Sequence, residues 1–364
     1  MRTTPGTAPA VARGLSAGDR SRKAQVALVL LAAALVAAGM FSLAWGSSDA
    51  SALDVMRHWI GLAGGDPLSP RDRLIIENIR LPRVLLGMLI GAGLAVSGVI
   101  LQGLFRNPLA DPGLIGITAG GSLSAVSVIV LGGTALAPVT AALGIYALAI
   151  AAFAGSLAAA FILYRIATRR GRTSVATMLL GGIAITAFAN AVAGVLIYLA
   201  SDAQLRDLIF WSLGSVAGAT ATKIAATAPI ILLALAATPF LARALNALAL
   251  GEAAAGHLGI SVQLMKNLAL VCVAAMTGAS VAVSGGIGFV GIVVPHVLRL
   301  AIGPDHRYLL PASALLGAAF LVVADAFSRT VVAPAELPIG IVTALVGAPV
   351  FIWIVMRKRS VLDL

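Results

Sequence analysis

Residues 84–105 contain no ionisable side chain, and this restricts the possible folds more than any other feature of the chain. About 20 apolar residues, at about 1.5 Å of helix per residue, cross the ~30 Å hydrocarbon core of a bilayer. Small residues recur in the stretch, among them Gly87, Gly91, Gly93, Ser97 and Gly98. We expect them to lie near one face and to let another helix approach closely. The sequence therefore predicts a membrane-spanning helix with helical neighbours.

Similar apolar runs fill the rest of the chain, of which 60% is hydrophobic and 11% is charged. This composition excludes a soluble domain with a polar surface and predicts an all-α integral membrane protein. We place ten spans, at residues 24–45, 81–105, 114–131, 138–164, 175–199, 224–241, 264–283, 288–302, 309–327 and 337–356. The expected organisation is a cytoplasmic tail over residues 1–23, a transmembrane domain over residues 24–356, and a cytoplasmic tail over residues 357–364.

The basic residues predict how the chain is oriented. With the N-terminus inside, 17 of the 25 Lys and Arg residues fall in inner segments and eight fall in outer ones. The positive-inside rule therefore predicts that both termini are cytoplasmic. The net charge of +11 is spread over many loops, so we expect membrane lipid and not nucleic acid as the partner of these residues.

The chain carries few groups that could do chemistry by themselves. It has no GxxxxGK[ST] phosphate-binding loop, so we expect no catalytic residue and no ATPase activity. Its four histidines are dispersed and its one cysteine is isolated, so we expect no metal site and no bound cofactor. The spans hold few carboxylates, which argues against transport driven by an ion gradient. Any energy from ATP must therefore come from a separate chain.

Three segments, in this order, resemble the FecCD family, the permease subunits of type II ABC importers for iron siderophores, haem and cobalamin. The segments are RLPR with the following glycine-rich span and NPLADPGLIGI (residues 80–117), GGIGFVGIVVPHVLRL (residues 285–300), and AELPIGIVTALVGAPVFIW (residues 335–353). The resemblance implies a BtuC-like fold in the bacterial inner membrane and a homodimer. It also implies two ATPase subunits that bind ATP and Mg, and a periplasmic substrate-binding protein. GLFR before NPLADPG is most similar to haem permeases, so haem is the expected cargo.

The resemblance also implies roles for particular residues. Docking of the binding protein falls to Arg80, Arg83 and Arg329. Coupling to the ATPase falls to Leu250, Gly251, Glu252, Ala253, His257, Leu258 and Gly259, in an inner connection over residues 243–266. The pathway is lined by residues 178–196, including Thr186 and Asn190. The inner gate is formed by Asn107, Leu109, Thr173, Ser174, Val175 and Ala176.

The residues by themselves leave alternatives open. Arginines at the ends of spans are also typical of anchors at the membrane surface. The turn over residues 107–113 is also compatible with a plain capped turn. We expect the inner connection to form two short helical pieces divided by Gly251 and Gly259, but its sequence is also compatible with an ordinary loop. Asn190 is equally compatible with a hydrogen bond between helices. Ferric siderophores and cobalamin are the alternative cargoes, and a gradient-driven transporter or a scaffold are the more distant alternatives.

Overall fold

The computed structural model describes residues 21–46, 69–169 and 172–362, so most of the predicted N-terminal tail and of the first outer connection lies outside the described residues. In chain order its helices are α1 (Ser21–Ala44), α2 (Pro70–Leu104), α3 (Ile117–Leu131), α4 (Ala137–Leu143), α5 (Ala147–Ala167), α6 (Val175–Tyr198), α7 (Asp202–Ser212), α8 (Ala221–Ala249), α9 (Glu252–His257), α10 (Val262–Ser284), α11 (Val290–Ile302), α12 (His306–Ser328) and α13 (Ile339–Leu362). Turns of 3-10 helix cover Pro112–Ile115 and Gly144–Tyr146. Strands β1 (Thr168–Arg169) and β2 (Arg172–Thr173) form a small antiparallel hairpin.

The apolar helices confirm the predicted all-α membrane fold. In the described part of the chain, seven helical segments are long and apolar enough to cross a membrane, and α3, α11 and the first part of α13 are shorter apolar helices. With α4 and α5 taken together, these ten segments correspond in order to the ten predicted spans. Helix α13 runs on to Leu362, so the predicted boundary at residue 356 is not a helix end.

Helix α2 lies at the centre of the bundle. It is largely buried and packs against α8, α10, α11 and α12. The expectation that its small residues share one face is wrong. Gly91 lies against Gly317 of α12, whereas Gly93 lies against Ile231 of α8 and Met276 of α10. A Cβ at Gly91 would overlap the carbonyl oxygen of Gly317, and one at Gly98 would overlap the carbonyl oxygen of Gly291 of α11. A helix that is enclosed on several sides needs small residues around its circumference, because each neighbouring backbone approaches it from a different direction.

The chain after α2 turns back into the bundle. Residues 105–111 are irregular, and the side chain of Asp111 accepts a hydrogen bond from the Gly113 amide at 2.8 Å to start the first 3-10 turn. Asp111 and Pro112 lie beside Gly291 of α11, which also lies beside the carbonyl of Leu94, ten residues before the end of α2. Ten helical residues span about 15 Å, so α3 starts well inside the bundle, which accounts for its length of only 15 residues. Irregular backbone at this depth is enclosed by protein, as a bilayer requires.

Helix α6 lies at the periphery of the bundle. It packs against α3 and α5 through a narrow strip that contains Met178 and Ala189, and the rest of the helix is open. Its exposed apolar side chains are Leu180, Ile183, Phe188, Val195, Ile197 and Tyr198. In a membrane this face has to be covered by lipid or by another protein surface.

Candidate functional site

The predicted outer arginines lie together in a buried charge cluster. Arg83 donates to Asp325 and to Glu336, each at 2.8 Å. The Nε atom of Arg329 lies 3.2 Å from the second carboxylate oxygen of Asp325. The side chains of Arg83, Asp325 and Arg329 are each 5% exposed or less. The cluster therefore holds the first half of α2, the end of α12 and the segment before α13 together.

The C-terminal end of α1 is held by Arg80 and Arg329. Arg80 donates to the carbonyl of Leu43 at 2.7 Å, and Arg329 donates to the hydroxyl of Ser42 at 2.6 Å. Arg80, Arg83 and Arg329 do not present their charges to an outside partner in this structure, because their side chains are buried. Their role in docking a binding protein stays a prediction.

The predicted coupling residues surround the short helix α9. Gly251 (φ 108°) precedes the helix and Gly259 (φ 78°) follows it, and both have backbone conformations that favour glycine. Ala255 is buried against Leu104 and Leu248, which holds the helix against the bundle. The opposite side is exposed, with apolar side chains at Leu250 and Leu258 and further exposed residues at Glu252, Ala253 and His257.

The expectation of two short helical pieces in this connection is wrong. Helix α8 continues to Ala249, and α10 begins at Val262, so one short helix remains between them. The reason is that the apolar side of α8 continues beyond the predicted end of the span at residue 241, and Leu245 and Leu248 on this side are buried. Arg243 and Lys266, the predicted ends of the connection, therefore lie within long helices.

A polar network joins α9 to the hairpin before α6. The ammonium of Lys266 lies 2.6 Å from a carboxylate oxygen of Glu252 and donates to the carbonyl of Thr173 at 2.8 Å. Gln263 donates to the hydroxyl of Thr173 at 2.7 Å and accepts from its amide at 3.1 Å. Sequence reasoning missed the roles of Lys266 and Gln263. The available signal was a lysine among apolar residues, since a charge in such a run requires a partner.

The predicted gate residues lie in two turns. In the first, the side chain of Asn107 accepts from the amide of Leu109 at 3.0 Å, and both residues are half-buried. In the second, Thr173 is buried, while Ser174 caps α6 by accepting from the Thr177 amide at 3.3 Å. Val175 and Ala176 follow in the first turn of α6, half-buried and exposed respectively.

Both turns adjoin the coupling segment. Arg106, at the start of the first turn, lies near Gly251, and the second turn is joined to Glu252 through Lys266. The structure thus brings the predicted coupling residues and both predicted gate turns together at one end of the bundle. Whether these turns act as a gate stays a prediction.

The predicted lining residues lie on α6. Asn190 is exposed, and Thr186 is half-buried with a hydroxyl that has no hydrogen-bond partner among the described residues. Because the open face of α6 is at the outside of the subunit, a pathway along it needs a second wall.

Among the described residues, no group of three or more His, Cys, Asp or Glu side chains is arranged to hold a metal ion. The arrangement consists of an exposed short helix, α9, that is connected to two turns, one of which leads into the peripheral helix α6.

Comparison with known proteins identifies the family. The model of the FecCD transport family matches residues 33–357. The hemin transport system permease HmuU of Yersinia pestis is 47% identical over 283 residues, covering 78% of this chain and 83% of the relative. The cobalamin import permease BtuC of Halobacterium salinarum is 43% identical over 289 residues, covering 79% and 75%. The vitamin B12 import permease BtuC of Shigella boydii is 41% identical over 304 residues, covering 83% and 89%.

A solved structure gives the same result. A chain described as an inward-facing conformation of a transporter assigned to the metal-chelate type of ABC transporters superposes with a TM-score of 0.78 at 30% identity, covering 91% of this chain and 98% of that one. The family model covers most of the chain, and three relatives above 40% identity agree with it. The chain therefore belongs to the FecCD transport family.

Proposed function

We propose that this chain forms a homodimeric permease that imports haem across the bacterial inner membrane. As a FecCD member it is a transmembrane permease of a type II ABC importer, and it is not the ATPase. The single observation that favours haem is the 47% identity to a hemin permease, which exceeds the 43% and 41% identities to the two cobalamin permeases reported above. Those two relatives make cobalamin the second candidate, and a ferric siderophore is the third.

The inner side supports coupling to a separate ATPase. The segment around helix α9 exposes Leu250 before the helix and Leu258 after it, which are 73% and 64% exposed, next to the acidic Glu252. Large apolar side chains at an aqueous surface are typical of a binding site for another protein. We propose that each subunit inserts this segment into a groove of one ATPase subunit. ATP and Mg are bound there, and closure of the ATPases moves the segment.

The periphery supports a dimer. A second copy that faces the open side of α6 would cover Leu180, Ile183 and Phe188 and would supply the missing wall of the pathway. Thr186 and Asn190 would then be the polar side chains in an otherwise apolar lining. A lining of this kind binds weakly, which suits a cargo that a separate high-affinity protein delivers. The switch between the outward-open and inward-open states needs contacts that differ between them, since only such contacts shift the equilibrium.

The outer side receives the binding protein in this proposal. Its contact with Arg80, Arg83 and Arg329 requires that the buried cluster opens. Arg83 is the best placed of the three, because its partner Glu336 is 39% exposed. Reversing the charge of Arg83 should weaken binding of the substrate-loaded binding protein, with reversal of the exposed Arg73 as the matched control. Equal binding by both variants and the wild type would remove Arg83 from the docking site.

The test of the function is uptake into liposomes. The chain is reconstituted with the ATPase and binding protein encoded beside it, and ATP-dependent uptake of haem, a ferric siderophore and cobalamin is measured in parallel. The proposal expects haem to be taken up in preference to the other two. Preferred uptake of another cargo would correct the cargo and keep the importer, whereas no ATP-dependent uptake of any would contradict the importer.

A further inference from the structure

Lys266 is a buried charge whose two partners belong to two other elements. It lies in the second turn of α10, and its side chain is 4% exposed. Its ammonium lies 2.6 Å from the carboxylate of Glu252 in α9 and 2.8 Å from the carbonyl oxygen of Thr173 in β2. One cation therefore bridges the exposed inner helix and the residue next to the N-cap of α6.

The two contacts are not equivalent. Thr173 is also held to α10 by two hydrogen bonds with Gln263, one donated by the Gln263 side chain and one accepted by it, so the hairpin follows α10 closely. Glu252 is about half exposed and lies on the open side of α9, where a docked ATPase would reach it. A partner protein can therefore displace Glu252 directly, and the displacement would reach Thr173 through Lys266.

Separating a buried ammonium from its partners costs free energy. Removing the countercharge of a buried ion leaves an uncompensated charge, which is far more costly than losing an exposed ion pair. If α9 shifts, Lys266 has to follow Glu252 or rearrange around Thr173. In either case the carbonyl that precedes Ser174, the N-cap of α6, changes its hydrogen bonding.

We propose that Lys266 is the positioning residue that transmits movement of the ATPase-docking helix α9 to the hairpin at the inner end of α6. The inference rests on the proposed function, because it assigns a role within ATP-driven transport. Lys266 contacts neither cargo nor nucleotide in this account. Its role is to couple the movement of Thr173 to the movement of α9.

The test measures ATP hydrolysis and cargo uptake in the same proteoliposomes. Lys266→Met keeps the length and apolar stem of the side chain and removes the charge. We expect ATP hydrolysis to stay within about twofold of the wild type and uptake to fall at least tenfold, so that cargo moved per ATP drops. Lys266→Arg keeps the charge and should recover a substantial part of the coupling. Lys223→Met, at the outer end of α8, is the matched control and should leave both rates unchanged.

Glu252→Gln is a second test of the Lys266–Glu252 ion pair. It removes the exposed partner of the pair, so it remains informative even if Lys266→Met folds poorly. It should lower cargo per ATP by several fold, and the double variant should couple no worse than Lys266→Met alone. Hydrolysis and uptake that fall in parallel in both variants, or that both stay normal, would overturn the inference. A wild type that moves cargo with ATP would in either case leave the proposed function standing, whereas a wild type without ATP-dependent uptake would overturn both.

Discussion

Replacing Asp325 with asparagine would keep the shape of the outer cluster and remove the charge that Arg83 and Arg329 share. The side chain of Asp325 is 2% exposed, and those of its two partners are 4% and 5% exposed. Removing one partner of a buried ion pair costs about 3–5 kcal/mol, because the remaining charge is left uncompensated. Arg83 keeps Glu336 and Arg329 keeps Ser42, so we expect the lower end of this range, about 3 kcal/mol.

The assay is thermal unfolding of the purified chain in detergent, with Glu336→Gln as the control. Glu336 is 39% exposed and bonds the same arginine, so its loss should cost less than about 1 kcal/mol. At about 2–4 °C per kcal/mol for a large domain, Asp325→Asn should lower Tm by roughly 6–12 °C and Glu336→Gln by a few degrees at most. Equal shifts for the two variants would refute the reasoning, because they would show that burial does not determine the strength of the cluster.

Three further predictions follow from other regions. Gly98→Ala should strongly reduce the yield of folded chain, whereas Gly194→Ala, where a Cβ meets no atom within 4 Å, should be neutral; similar yields would contradict the close helix contact. A hydrogen bond from Arg307 lowers the pKa of Asp305 to about 2, so this carboxylate stabilises the fold above its ordinary pKa of 3.8 and loses the effect as the pH falls towards 2. The Tm difference between wild type and Asp305→Asn should therefore be present at pH 7 and shrink below pH 4, and a constant difference would contradict it. Leu258→Asp should weaken binding of the ATPase in a pull-down at least tenfold, and unchanged binding would remove this residue from the docking surface.

The spans were predictable because a bilayer imposes both length and hydrophobicity. Runs such as residues 84–105 have one physical solution, an apolar helix, and the structure places a helix at each of the ten predicted runs. The fold was predictable from the three motifs as well. The ends of the helices were less predictable. Helix α8 extends to Ala249 because it packs against α2 and α9, and local hydrophobicity does not reveal this packing.

The environment of the outer arginines could not be derived from spacing. Arg83 and Asp325 are 242 positions apart, and their pairing depends on how α2 packs against α12. The same holds for the bridge at Lys266, whose partner Thr173 is 93 positions away. The sequence offered only the presence of a charge in an apolar run, which predicts that a partner exists but not which residue it is.

The central claim is that ATP hydrolysis by a partner drives transport through this chain. The most direct measurement is haem uptake by cells that carry the chain, its ATPase and its binding protein, under two treatments applied separately. The account predicts that uptake stops when cellular ATP is depleted and persists when an uncoupler collapses the proton gradient while ATP is maintained. Uptake that survives ATP depletion but stops with the uncoupler would contradict it and would indicate a transporter driven by an ion gradient.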